Sequence, residues 1–113
     1  MFTAFINGII LTGEETIEGS ALLIEDKQIR SVTDPRSLPP GIRIIDCNGN
    51  FIAPGLIDLQ IAGGGGYLFS ETPTPAAMKA IADAIVRTGT TGFLIAIPTN
   101  TFEVYNKVTS VAA

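Results

Sequence analysis

The apolar positions of this chain follow two regimes. From Phe2 to Ala53 they come in short clusters separated by turn-forming pairs. Phe2–Asn7 reads as a strand, Asn7-Gly8 as a tight turn and Ile9–Thr12 as the returning strand, because Asn-Gly is the pair that a two-residue hairpin favours. Gly13-Glu14-Glu15 is a polar loop and Thr16–Glu18 a short strand. Ala21–Glu25 predicts a buried strand, Asp26-Lys27 a turn and Gln28–Thr33 its partner. Asp34–Gly41, with Pro35, Pro39 and Pro40, is a loop. Arg43–Asp46 is a further strand, and Asn48-Gly49 turns the chain into Phe51-Ile52-Ala53. Short strands at this spacing predict a small β-sandwich, or part of one.

At Pro54-Gly55, itself a turn signal, the pattern changes. Leu56–Ala62 alternates, which sets Ile57, Leu59 and Ile61 on one face of a strand and Asp58, Gln60 and Ala62 on the other. Gly63–Gly66 predicts a loose loop that another backbone or a ligand can approach closely. Thr74 is a good N-cap, with Pro75 at the first helical position. Met78, Ile81, Ala82, Ile85 and Val86 then recur at helical spacing, and Gly89 stops the helix with Arg87 in its last turn. Phe93–Ile97 is almost continuously apolar, as suits a parallel strand buried on both faces. Asn100 is positioned to cap a second helix from about Thr101, with Glu103 as its capping-box partner. This β-loop-α-β-α order opens an alternating α/β domain. The expected organisation is therefore a β-rich domain over residues 1–53 and the start of a barrel over residues 54–113, truncated because closure takes eight βα units.

Composition narrows the function. The chain has 113 residues, 46% hydrophobic and 16% charged, too apolar for a disordered segment. A net charge of -4 and scattered Lys and Arg argue against nucleic acid as a partner. No apolar run approaches the roughly 20 residues of a membrane helix, and no secretory leader is visible. Cys47 is the single cysteine, which excludes an intrachain disulfide, and it reads as a small buried hydrophobe. A soluble cytoplasmic protein is expected. Histidine is absent, so no His-based triad or His-metal site can be made by these residues alone.

Several residues remain as candidates for chemistry. Asp58, between Ile57 and Leu59, is expected in a closed space. It is either a strut that accepts backbone N–H bonds or a metal or proton-transfer group. Gln60 offers a neutral amide, a poor zinc ligand, and can be a ligand, a pocket wall or a structural hydrogen-bonder. Gly63–Gly66 can cradle a phosphate through backbone N–H groups but fits no nucleotide-binding glycine pattern. Glu14, Glu15 and Glu18 read as a solvated edge rather than a glycosidase pair. Tyr67 and Phe69 can stack on a sugar ring or pack in a core or rim.

The stretch Pro54–Gly66 resembles the first barrel strand of the amidohydrolase superfamily, Pro-Gly-apolar-Ile-Asp-x-His-x-His, in which both histidines bind a catalytic metal. Gln60 and Ala62 stand in their places. A glutamine followed by a glycine run is similar to the N-acetylglucosamine-6-phosphate deacetylase family, some of whose members carry Gln-x-Asn; Ala62 departs from that. Gly89–Leu94 and Pro98-Thr99 match the same family in the same order. The resemblance implies a β-domain leading into a TIM-like barrel. It implies a divalent metal, zinc or similar, that activates water against an acetamide carbonyl, with an aspartate moving the proton. It also implies an amino-sugar phosphate substrate and a homo-oligomer. Asp58, Gln60 and Ala62 would be metal-adjacent or wall the pocket, and Gly63, Gly64, Gly65 and Gly66 would form a substrate loop. The family's glutamate and histidine ligands and its catalytic aspartate match nothing in these residues, so this segment alone is expected neither to bind zinc tightly nor to catalyse. Two alternatives stand beside this one. One is a stand-alone β/α binding protein. The other is a superfamily member acting on another cyclic or linear amide.

Overall fold

Short strands at close spacing do become sheets in the first half. The computed structural model describes residues 1–112 and divides into two units, Met1–Pro54 and Gly55–Ala113. In the first unit the strands are β1 (Phe2–Ile6), β2 (Ile9–Leu11), β3 (Thr16–Ile17), β4 (Ala21–Glu25), β5 (Gln28–Thr33), β6 (Arg43–Asp46) and β7 (Phe51–Ile52). They form a four-stranded sheet in the order β5-β4-β1-β6 and a three-stranded sheet in the order β3-β2-β7. Asp26, with φ of 55°, makes the turn between β4 and β5 as its sequence suggests. Ala4, Ile10, Ala21, Leu22 and Leu23 are buried. An apolar cleft of about 290 Å³ lies among Ile10, Leu22, Ile29, Val32 and Ile52.

Asn7-Gly8 is not a hairpin turn. The strand before it, β1, pairs with β4 and β6, whereas β2 pairs with β3 and β7 in the other sheet. Asn7 takes the left-handed backbone the pair favours, with φ of 54°, but Gly8 does not follow it, so the two-residue turn is not made. Because β1 runs parallel to β6 and β2 parallel to β7, both segments cross from sheet to sheet side by side. Backbone bonds join them at the corner: Cys47 N to Ile6 O (2.9 Å), Gly49 N to Asn7 O (2.7 Å) and Ile9 N to Asn50 O (3.1 Å). The Asp46 carboxylate accepts from Asn7 Nδ2 (2.9 Å) and Asn48 N (2.8 Å).

The second unit holds β8 (Leu56–Ile61), β9 (Gly63–Gly64), β10 (Tyr67–Leu68), α1 (Pro75–Ile85), β11 (Thr90–Ile95) and α2 (Phe102–Ala112). β8 and β11 pair in parallel. Thr74 Oγ1 accepts from Ala77 N at 3.2 Å, Pro75 follows it, and α1 gives way to a 3-10 turn, Val86–Thr88, that Gly89 ends. The buried centre is Phe69, Ala77, Ile81 and Val108, with Ile61, Met78, Ile85, Phe93, Ile95 and Ile97 packed around it. Complete burial of a side chain such as Ile81 contributes about 1.5–3 kcal/mol.

Three expectations are corrected here. Val86 is exposed, because the change to 3-10 winding takes it off the α1 stripe, while Ala77 joins the core. Leu94 is 60% exposed, so β11 is covered on one face only. The residue that caps α2 is Thr101, whose Oγ1 accepts from Val104 N at 3.4 Å, while Asn100 Oδ1 accepts from Thr101 N at 2.9 Å. Glu103 pairs with Lys107 at 2.9 Å instead of closing a capping box. The second unit contains two parallel strands and two helices; a closed barrel is not among the described residues.

Candidate functional site

The sequence candidates converge on the C-terminal end of β8. Register fixes where they point. Asp58 lies opposite Phe93 and Ile61 opposite Ile95, so β8 carries one more residue than β11 across that interval. A one-residue excess breaks the alternation of faces. Ile57 and Leu59 are 70% and 71% exposed, whereas Ile61 packs inward with Phe93 and Ile95. The three therefore do not share a face, contrary to simple alternation. Gln60 and Ala62 flank Ile61 and are exposed. Asp58 is half-buried on the Phe93 side rather than enclosed, and its Oδ1 accepts from Gln60 N at 2.9 Å, which braces the irregular step.

The glycine run is not a loose loop. Gly63–Gly64 pairs antiparallel with Tyr67–Leu68, and Gly65 and Gly66 form the two-residue turn with φ of 59° and 87°. Positive φ at both positions is what this turn demands. A Cβ at Gly63 would lie 2.1 Å from Tyr67 O, and one at Gly65 2.6 Å from Ala80 O of α1. The glycines thus close a hairpin and seat it on the helix. Phe69 N donates to Ala62 O at 3.0 Å across its base. Of the two aromatics weighed for sugar stacking, Phe69 is fully buried in the core and Tyr67 is exposed.

The loop after β11 begins at this end. Ala96 N donates to Ile61 O at 2.8 Å, so the loop that leaves β11 starts beside the end of β8. In that loop the Asn100 N–H donates to Tyr105 Oη at 3.2 Å. The sequence pattern presents Asn100 as a helix cap and gives no sign of its bond to Tyr105. The available signal was position, since loops that follow parallel strands share one edge.

The charges present do not compose a metal site. No three His, Cys, Asp or Glu side chains come together among the described residues. Asp58 is already engaged by a backbone N–H, and Gln60 offers only a neutral amide. Lys107 holds the Glu103 carboxyl below the ordinary carboxylate range, and Arg36 does the same for Asp34. Both pairs are exposed ion pairs. Glu14 and Glu15 lie in a turn whose N–H groups donate to Thr12 Oγ1, at 3.3 and 2.9 Å, and are exposed. No helix among the described residues is long and apolar enough to cross a membrane.

Comparison with known proteins places this geometry. Residues 1–52 match the family model of the NagA composite domain. The N-acetylglucosamine-6-phosphate deacetylase of Haemophilus influenzae is 32% identical over 91 residues, 80% of this chain and 24% of that protein. The enzyme of the same name from Bos taurus is 36% identical over 109 residues, 88% of this chain and 27% of that protein. The crystal structure of N-acetylglucosamine-6-phosphate deacetylase from Pasteurella multocida superposes with a TM-score of 0.94 at 28% identity, over 98% of this chain and 29% of that one. The chain resembles the N-terminal segment of N-acetylglucosamine-6-phosphate deacetylases. The resemblance read from Pro54–Gly66 is thereby borne out, and the match extends through the β-rich first unit as well. The chain spans about a quarter of the length of these curated relatives, 24% and 27%.

Proposed function

We propose that this chain is the leading part of a metal-dependent amidohydrolase that removes the acetyl group from N-acetylglucosamine-6-phosphate, giving glucosamine-6-phosphate and acetate. The observation that carries the reading is the disposition of β8 and β11. They run parallel, and Gln60 and Ala62 lie exposed at the C-terminal end of β8. In βα barrels the reacting groups gather at that end of the strands. The similarity to deacetylases supports the substrate class. The residues present do not fit the implied metal by themselves, since Asp58 is engaged by the Gln60 N–H and Gln60 offers a neutral amide. Asp58 braces the irregular step of β8, and the hairpin of Gly63–Leu68 shapes the rim beside Gln60. In this reading further barrel strands supply the metal ligands and the catalytic aspartate.

Expression of the whole reading frame tests this. The product should contain a stoichiometric divalent metal and release acetate from N-acetylglucosamine-6-phosphate, while residues 1–113 alone do neither. A stoichiometric zinc site in residues 1–113 alone, lost on Gln60→Ala, would overturn the placement of the ligands. A full product that binds metal yet leaves the amino-sugar phosphate untouched, while hydrolysing another amide, would overturn the substrate.

A further inference from the structure

Two Asn-Gly pairs, Asn7-Gly8 and Asn48-Gly49, lie side by side at the corner of the first unit, and the proposed hydrolase does not use them. Asn-Gly is the pair most open to spontaneous deamidation, because glycine leaves its backbone nitrogen unhindered as it swings toward the neighbouring side-chain carbonyl. Both asparagines are exposed to water. Each is nevertheless restrained, and at a different atom. At Asn48 the attacking group is engaged, because the Gly49 N–H donates to Asn7 O at 2.7 Å. At Asn7 the departing group is engaged, because Nδ2 donates to Asp46 Oδ2 at 2.9 Å. Gly8 is buried, and Ile52 Cδ1 lies 2.7 Å from where a Cβ would project, so its peptide has little room to rotate. The other oxygen of Asp46 accepts from Asn48 N at 2.8 Å. One carboxylate therefore holds both turns.

We propose that Asn7 and Asn48 are a coupled pair of deamidation sites, latched by Asp46 while the corner is closed. When the corner opens, the glycine nitrogen gives its proton to solvent base and bonds to the asparagine Cγ. The Cγ–Nδ2 bond breaks, ammonia leaves and a succinimide remains. Water then opens the ring to aspartate or isoaspartate, so each event consumes one water, releases one ammonia and adds one negative charge. The coupling follows from Asp46. Deamidation at Asn7 replaces a donor with a second carboxylate facing the first, and like charges so close repel. The latch on Asn48 then loosens, and the second event becomes faster than the first. Isoaspartate also lengthens the backbone by one carbon, which the paired turns cannot absorb.

The test follows the two sites by peptide mass mapping during incubation of the full-length protein at mildly alkaline pH, in native buffer and in urea. Both sites should react about tenfold or more slowly in native buffer, since modification waits on local opening. Asp46→Ala should raise both native rates while circular dichroism remains that of a folded chain. If Asp46→Ala unfolds the protein, Asn7→Asp decides instead. The native rate at Asn48 should rise, and Asn7→Asp combined with Asp46→Asn should return it toward the original value. Equal Asn48 rates in native buffer and urea would overturn the proposal. So would an Asn48 rate unmoved by Asn7→Asp in a folded chain.

Discussion

Strands β4 and β8 are both rich in apolar residues, yet they are buried to very different extents. In β4 three successive residues, Ala21, Leu22 and Leu23, are buried, so both faces of the strand are covered there. In β8 the residues Leu56, Ile57 and Leu59 are all more than 60% exposed. The difference lies in neighbours. β4 has a paired strand on each edge, β1 and β5, whereas among the described residues β8 pairs only with β11 and packs its Ile61 side into the core. Apolar sequence states what a strand is able to bury. The number of elements around it decides what it does bury.

The sharpest way to break that contrast is to truncate side chains on each side of the β8–β11 sheet. Phe69→Ala, at the fully buried centre of the second unit, should cost about 3–5 kcal/mol in urea unfolding of the chain. Leu59→Ala should stay within about 0.5 kcal/mol. A Leu59→Ala cost that approached the Phe69→Ala cost would mean that the outer face is covered after all. The two values should converge only when the chain is part of a longer protein that closes over this face.

The glycine hairpin gives the next largest effect. Gly63→Ala forces a methyl against the Tyr67 carbonyl and should cost about 1–3 kcal/mol. Gly64→Ala meets only side chains, the nearest at 3.7 Å from its Cβ, and should be neutral or stabilising by up to about 1 kcal/mol. Equal effects at the two positions would mean that the run is the loose loop its composition suggests.

Helix caps come third. Thr74→Ala should cost about 1 kcal/mol, and Thr101→Ala less, because its hydrogen bond is longer at 3.4 Å against 3.2 Å. The smallest effect belongs to the Glu103–Lys107 pair. Because Lys107 lowers the Glu103 pKa, the pair supports α2 above the ordinary carboxylate range, and the support is lost as pH falls through the lowered value. A carboxyl titration followed by NMR should show the depression, weakened by salt and abolished by Lys107→Met.

Much of this architecture is legible locally, and the failures share one cause. Thr74-Pro75 and Gly89 mark both ends of the first helical segment because capping depends on adjacent atoms. The β4–β5 turn and the parallel character of β11 are likewise visible in short windows. What could not be read is partnership. At Asn7-Gly8 only Asn7 takes the positive φ of a hairpin turn, and the strands on either side pair in different sheets. Ile57, Leu59 and Ile61 alternate in sequence, but the extra residue in β8 exists only relative to β11. The candidate site shows the same limit. Gln60 and Asp58 stand out in the strand pattern, whereas the bond from Asn100 N to Tyr105 Oη has no mark in it.

The corner that joins β1–β2 to β6–β7 also bears on how the first unit is reached from the unfolded chain. Its ties connect residues about forty positions apart, Asn7 to Asp46 being separated by 39. Such contacts must wait for a long loop to close, and its entropy is spent before any of them forms. Neither parallel pair can be completed early by a local hairpin, so the β1–β6 and β2–β7 pairings should form together and late, after the local β4–β5 and β2–β3 pairs. The amides of Ile9, Cys47 and Gly49 should then lose protection together rather than one sheet at a time, which makes the corner the point through which the whole unit folds and unfolds.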